Sequence, residues 1–217
     1  MKFLLALYCS VAYLVGPLAL HGGNVAVAVD CISNPPDLSK LTYQQGSEAV
    51  SAEVVDIVLR KSKPICAGYT TNLINMLRHA NLDNDQIVLG VYLLGELQST
   101  DTNSIRFLIE IIDLKASRID PAIRPPRWGQ YPAQGALVKC GVPSINFILE
   151  VLPDESSELR RHWMCETLVE IEGKTDSSFK RAEGVRAVQS QIKSKLAAES
   201  DAGKKANLEL ALKELEK

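Results

Sequence analysis

The chain is poor in the residues and patterns that announce chemistry. Its 217 residues include three histidines, and no close Cys/His spacing or CxxC pair suggests a metal centre. HExxH, calcium-loop, GxGxxG and P-loop patterns are missing, and so is the GxSxG nucleophile elbow. A formal charge of -2 lacks the basic excess of a nucleic-acid binder. Beyond residue 28 no apolar run could cross a bilayer, which takes about 20 residues. No catalytic residue, cofactor or metal ligand follows from the sequence.

What the chain does have begins with a leader. Lys2 supplies a positive start, Phe3 to Leu20 is almost wholly apolar, and Ala26-Val27-Ala28 offers the small residues a signal peptidase reads. Residues 1–28 are therefore expected to be a cleavable signal peptide, with an uncleaved anchor as the competing reading. Pro17 and the small residues after it favour cleavage and a secreted or periplasmic product. Export permits disulfides. Cys31, Cys66, Cys140 and Cys165 follow the leader and allow three pairings. Cys31–Cys66 would tie an N-terminal strap to an early helix, and Cys140–Cys165 would join later helices. Equally, Cys140 and Cys165 lie in apolar runs, where a buried thiol behaves as a small hydrophobe.

Residues 29–46, with Asn34-Pro35-Pro36, read as an extended strap, and 47–217 as one helical domain. Helical spacing of apolar residues predicts helices over Ser47–Arg60, Ile65–His79, Asp85–Leu97 and Ser104–Leu114. The third is apolar nearly all round, the mark of a sandwiched helix. Lys115 to Gln130 is irregular, with three prolines. Tyr131 to Pro153 forms a hairpin of two apolar helices that turns at Gly141 and Pro143. Helices follow over Ser156–Glu172, where Leu159, Trp163, Leu168 and Ile171 are apolar, from Asp176 or Ser177 onward, and over Asp201–Lys217 as a closing cap.

The segments repeat. Ile105 to Asp113 lines up with Ile145 to Pro153 at an offset of 40 residues, with the Phe and the Glu kept. Ala136-Leu-Val-Lys-Cys-Gly141 lines up with Thr167 to Gly173, and Leu93-Leu94-Gly95 holds the same place one unit earlier. Each helix pair has too little core alone and needs neighbours stacked on it. The pattern resembles HEAT-like (armadillo-type) repeats over about Asn81 to Leu196. The resemblance implies an all-α fold, a right-handed α-α superhelix or HEAT-like solenoid of about four helical hairpins. It implies an exported protein-interaction module, a scaffold or adaptor without catalysis of its own. Its partners would be proteins, not nucleic acid, and no stable membrane insertion would remain after leader removal. The alternative is an enzyme, such as a phycobilisome-lyase-like HEAT protein, using the Arg/Trp/Tyr loop.

That loop is the expected partner surface. Arg124, Arg127, Trp128 and Tyr131 crowd beside Pro125-Pro126, and these residue types dominate interface hot spots. Arg160 and Arg161 on the next helix would complete a basic-aromatic patch. The competing reading folds Trp128 and Tyr131 over the core and pairs the arginines with nearby acids. His79 and His162 read as solvated helix-surface residues, and His21 belongs to the leader.

Overall fold

A computed structural model describes residues 31–54, 56, 64–66, 68–117, 130–174 and 178–217. The signal peptide over 1–28, the predicted helix end at 57–60, the Asp176/Ser177 helix start, and Arg124, Arg127 and Trp128 lie outside the described residues. What is described is all-helical: α1 (Tyr43–Val54), α2 (Tyr69–His79), α3 (Asn84–Glu96), α4 (Thr102–Glu110), α5 (Pro132–Cys140), α6 (Val142–Val151), α7 (Glu158–Glu172), α8 (Arg181–Ala198) and α9 (Ala202–Glu214). Short 3-10 turns cover Leu38–Lys40 and Leu152–Asp154. The only bridges among the described residues are isolated, Ile32 with Ile65 and Lys174 with Phe179.

Several helix starts differ from the expected ones, each for a local reason. α1 begins at Tyr43, not Ser47, so the strap ends earlier than residue 46. Thr42 and Gln45 form a reciprocal cap: the Thr42 hydroxyl accepts from the Gln45 N–H, and the Gln45 side chain accepts from the Thr42 N–H. α2 begins at Tyr69, not Ile65. Ile65 and Cys66 are held extended against the strap, where the Ile32 N–H bonds the Pro64 carbonyl at 3.0 Å and the Cys66 N–H bonds that of Ile32 at 2.9 Å. α3 starts where expected, behind a capping box of Asp83 and Gln86. Gly141 turns α5 into α6 with φ 72 and ψ -144, a conformation outside the left-handed helical region and open essentially to glycine.

The helices pack in two alternating rows. α1 lies on α3, α3 on α5 and α5 on α7, while α2 lies on α4 and α4 on α6. α3 is the centre of the first row. Leu89, Val91, Leu93 and Leu94 have no solvent exposure, because α1, α2 and α5 all pack on the helix. Burying each such side chain is worth about 1.5–3 kcal/mol before entropy is counted. The approach of α3 to α5 depends on Gly95, where an added Cβ would stand 2.9 Å from the Ala136 Cα. α4 and α6 begin at Thr102 and Val142, so the sequence repeat is a repeat of helices.

After α7 the alternation stops. α8 packs on α7, and α9 returns over α7, α8 and the turn at Leu152–Asp154. Asn207 donates to the Pro153 carbonyl at 2.9 Å and Lys204 pairs with Asp154. Leu208, Ala211 and Leu215 are the buried stripe of this closing helix. On α7 the buried face is Arg161, Met164, Cys165, Thr167, Leu168 and Val169, and the apolar Leu159 lies off it, nearly half exposed at 47%. No helix among the described residues is long and apolar enough to cross a membrane.

Candidate interaction surface

The expected basic-aromatic patch is only partly described, and its described members are tied into the fold. Arg160 sits in the first turn of α7 and reaches back to the end of α4. Its Nη1 donates to the Glu110 carbonyl at 2.7 Å and its Nη2 to that of Ile109 at 3.1 Å. Its Nε donates to Glu155 at 2.7 Å, and Nη1 also meets Asp113 at 3.2 Å. A guanidinium thus fills the carbonyls that a helix C-terminus leaves open and meets its negative end. Burial works against the charge, but the hydrogen bond to Glu155 and the carboxylates of Glu155 and Asp113 outweigh it, so the pKa stands above its ordinary value. Arg161 is buried, at 4% exposure, and donates to the Glu155 carbonyl at 3.1 Å. Both guanidinium groups therefore have acceptors within the fold.

Tyr131 meets Trp163 of α7, ring centroids 4.0 Å apart. His162 packs edge-on against the same indole at 4.8 Å, and its Nδ1 lies 3.5 Å from Glu214 of α9. The histidine is therefore part of the α7–α9 contact, not a merely solvated surface residue. Of the six expected partner residues, Tyr131, Arg160 and Arg161 make these contacts within the fold. Arg124, Arg127 and Trp128 lie outside the described residues.

Cys31 and Cys66 are joined by a disulfide, Cα atoms 5.3 Å apart. Cys140 and Cys165 are unpaired and buried, so the alternative Cys140–Cys165 bridge is not formed. Burial pushes both thiols up, to about 11 for Cys140 and about 12 for Cys165, which leaves them protonated and unreactive near neutral pH. Among the described residues no group of three His, Cys, Asp or Glu side chains gathers in metal-binding reach.

The second row of helices presents a surface that no catalytic or binding motif in the sequence marks. Arg78 of α2 lies over the Phe107 ring of α4, 5.4 Å from its centroid, and pairs with Glu110 at 2.7 Å. Arg106 of α4 lies over Phe147 of α6 at 5.7 Å and pairs with Glu150 at 3.0 Å. The receptors Phe107/Glu110 and Phe147/Glu150 are the residues the 40-residue repeat preserves. An aromatic ring and a carboxylate one turn on form a seat for the preceding helix's arginine. The first row uses the same device in reverse, where Lys139 of α5 lies over Tyr92 of α3 and pairs with Glu96.

Arg106 and Glu110 are four residues apart on one helix face, as are Asn146 and Glu150. The two staples therefore join into one exposed strip that crosses α2, α4 and α6. Asn75, Asn103 and Asn146, all exposed, extend it along each helix. The matching Phe-x-x-Glu words were visible in the sequence. Their arginine partners were not, since Arg78 and Arg106 do not follow the 40-residue spacing.

No family model, curated protein or solved structure matches this chain.

Proposed function

We propose that the chain is an exported, HEAT-like helical-repeat module that binds a protein partner as a scaffold or adaptor, without catalysis of its own. The observation that carries this reading is the alternation of rows, α1-α3-α5-α7 and α2-α4-α6, in step with a 40-residue repeat. Successive hairpins laid side by side in this way favour a right-handed α-α superhelix of about four hairpins. Such stacks present one helix from each repeat as a continuous binding face. Here that face is the strip of Asn75, Arg78, Arg106, Glu110, Asn146 and Glu150. Its alternating charges suit a polar protein surface better than a nucleic-acid backbone. The apolar run of residues 3–20, with the small residues up to Ala28, supports secretion or a periplasmic location.

Capture from envelope fractions of the native host tests the reading. The full chain is compared with an Asn75→Lys/Asn146→Lys variant, which adds bulk and charge to the strip and leaves both arginine staples intact. A partner lost from the variant at unchanged melting temperature supports the strip. A partner retained at full yield removes it from consideration. A parallel Arg127→Ala/Trp128→Ala variant asks the same of the loop.

A further inference from the structure

We propose that the N-terminal strap, Cys31 to Leu41, is a redox-released cover over the α1–α3 end of the helix stack, with the Cys31–Cys66 disulfide as its latch. The strap is bound at few points. Its Ile32 pairs with Ile65 through two backbone hydrogen bonds, and Asn72 donates to the Ser33 carbonyl and to Asn34 Oδ1 at 3.4 and 3.1 Å. Both of these Asn72 contacts are exposed. Gln86 donates to the Leu41 carbonyl at 2.7 Å. Leu38 is the one large side chain of the strap with no solvent exposure. It sits beside Gly46 of α1, where a Cβ would stand 3.7 Å from a Leu38 methyl and 3.0 Å from one of Leu89.

Ordering some ten residues of backbone costs more than a buried leucine, a buried proline and a handful of hydrogen bonds return. The disulfide makes the difference by holding the strap at high effective concentration over its seat. Both cysteines are half-buried rather than sealed, which leaves the bond open to thiolate attack. The strap touches α1, α2 and α3 only at the end of the molecule, and the core from α3 through α9 is continuous without it. Cys140 and Cys165 are buried, with Cys165 donating to the Ala211 carbonyl, so they do not compete for exchange.

The reductant is a dithiol. It gives up two electrons and two protons, the Cys31–Cys66 bond breaks, two thiols form, and the dithiol leaves as its own disulfide. Release bares the Leu38 seat between Gly46 and Leu89. This holds whichever partner the helix strip binds.

Hydrogen exchange read by mass spectrometry tests it on the intact folded chain, before and after treatment with excess dithiothreitol. The expected result is that peptides spanning 32–41 exchange at least tenfold faster after reduction, that those of α3, α5 and α7 are unchanged, and that reoxidation restores protection. A strap that stays protected after its thiols are shown to be reduced overturns the proposal. So does a disulfide that resists the dithiol, or a parallel loss of protection in α3, α5 and α7, which would make the bond a staple of the whole fold. A Leu38→Ala chain, oxidised, gives the second readout. Its strap is expected to keep the disulfide yet exchange faster than wild type, and equal rates would remove Leu38 as the anchor.

Discussion

Arg160 has a structural task that its residue type does not announce. In sequence it stands with Arg161 and Trp163 as a partner-facing group, and in the fold it closes the end of α4 and ties the turn before α7. Two backbone carbonyls and two carboxylates depend on it. Arg160→Ala is expected to cost about 2–3 kcal/mol of stability, read as a lower urea midpoint, because it removes charge-assisted bonds and leaves acceptors open. Arg160→Lys should recover only part of this, since an ammonium cannot fork to acceptors on two sides. An unchanged midpoint for the alanine variant would show the contacts to be idle. Asp101 supplies a pH dependence of known sign. Partial burial disfavours its charge, but hydrogen bonds from Ser104, Ser99 and the Asn103 N–H prevail and hold its pKa below the ordinary 3.8. Its cap on α4 is therefore complete above about pH 4, where even the unfolded chain is ionised, and is lost as the pH falls through the folded value. Acid titration of the melting temperature should be shallower in Asp101→Asn than in wild type.

Single helices were legible where their ends carry side-chain caps and illegible where tertiary contacts set the boundary. Asp83, Asp101 and Asp201 cap α3, α4 and α9 within one or two residues of the expected starts. The start of α2 could not be read, because Ile65 and Cys66 have a helical apolar spacing and are diverted by a bridge to residues more than 30 positions away. The start of α1 could have been read from Thr42-Tyr-Gln-Gln45, a capping-box word that the apolar periodicity hid. Between helices the cation-aromatic-acid staples carry a prediction. The Arg106 and Glu150 side chains are more than half exposed, so a double-mutant cycle with Arg106→Gln and Glu150→Gln should give a coupling of about 0.2–1 kcal/mol that shrinks in 1 M salt. The Lys139–Glu96 pair has side chains about one-fifth exposed, and its coupling should be larger and less sensitive to salt. Equal couplings at the two staples would mean that burial does not grade them.

At the scale of the molecule, the repetition of helices is legible in the sequence. Phe and Glu recur at 40 residues, and the two helices bearing them fall in one row. The strip proposed as the partner surface is not legible in the same way. Interface-rich residue types drew attention to Arg160, Arg161 and Tyr131, whereas a continuous strip requires knowing which helices lie side by side. Periodicity gives the inner face of a helix, and only the packing tells which outer faces adjoin. The closing helix was also only half legible: its apolar stripe was plain, but its return over the Leu152–Asp154 turn depends on Asn207 and Lys204, which carry no signal in a Lys/Glu-rich segment. The central claim is that α2, α4 and α6 present one binding face to one protein. Photo-crosslinking in the native host, with the probe placed in turn at Asn75, Asn103 and Asn146, tests it most directly. The account predicts the same partner crosslinked from all three positions and not from a control probe at Lys193 on α8. Three different products, or none above the Lys193 control, would contradict it.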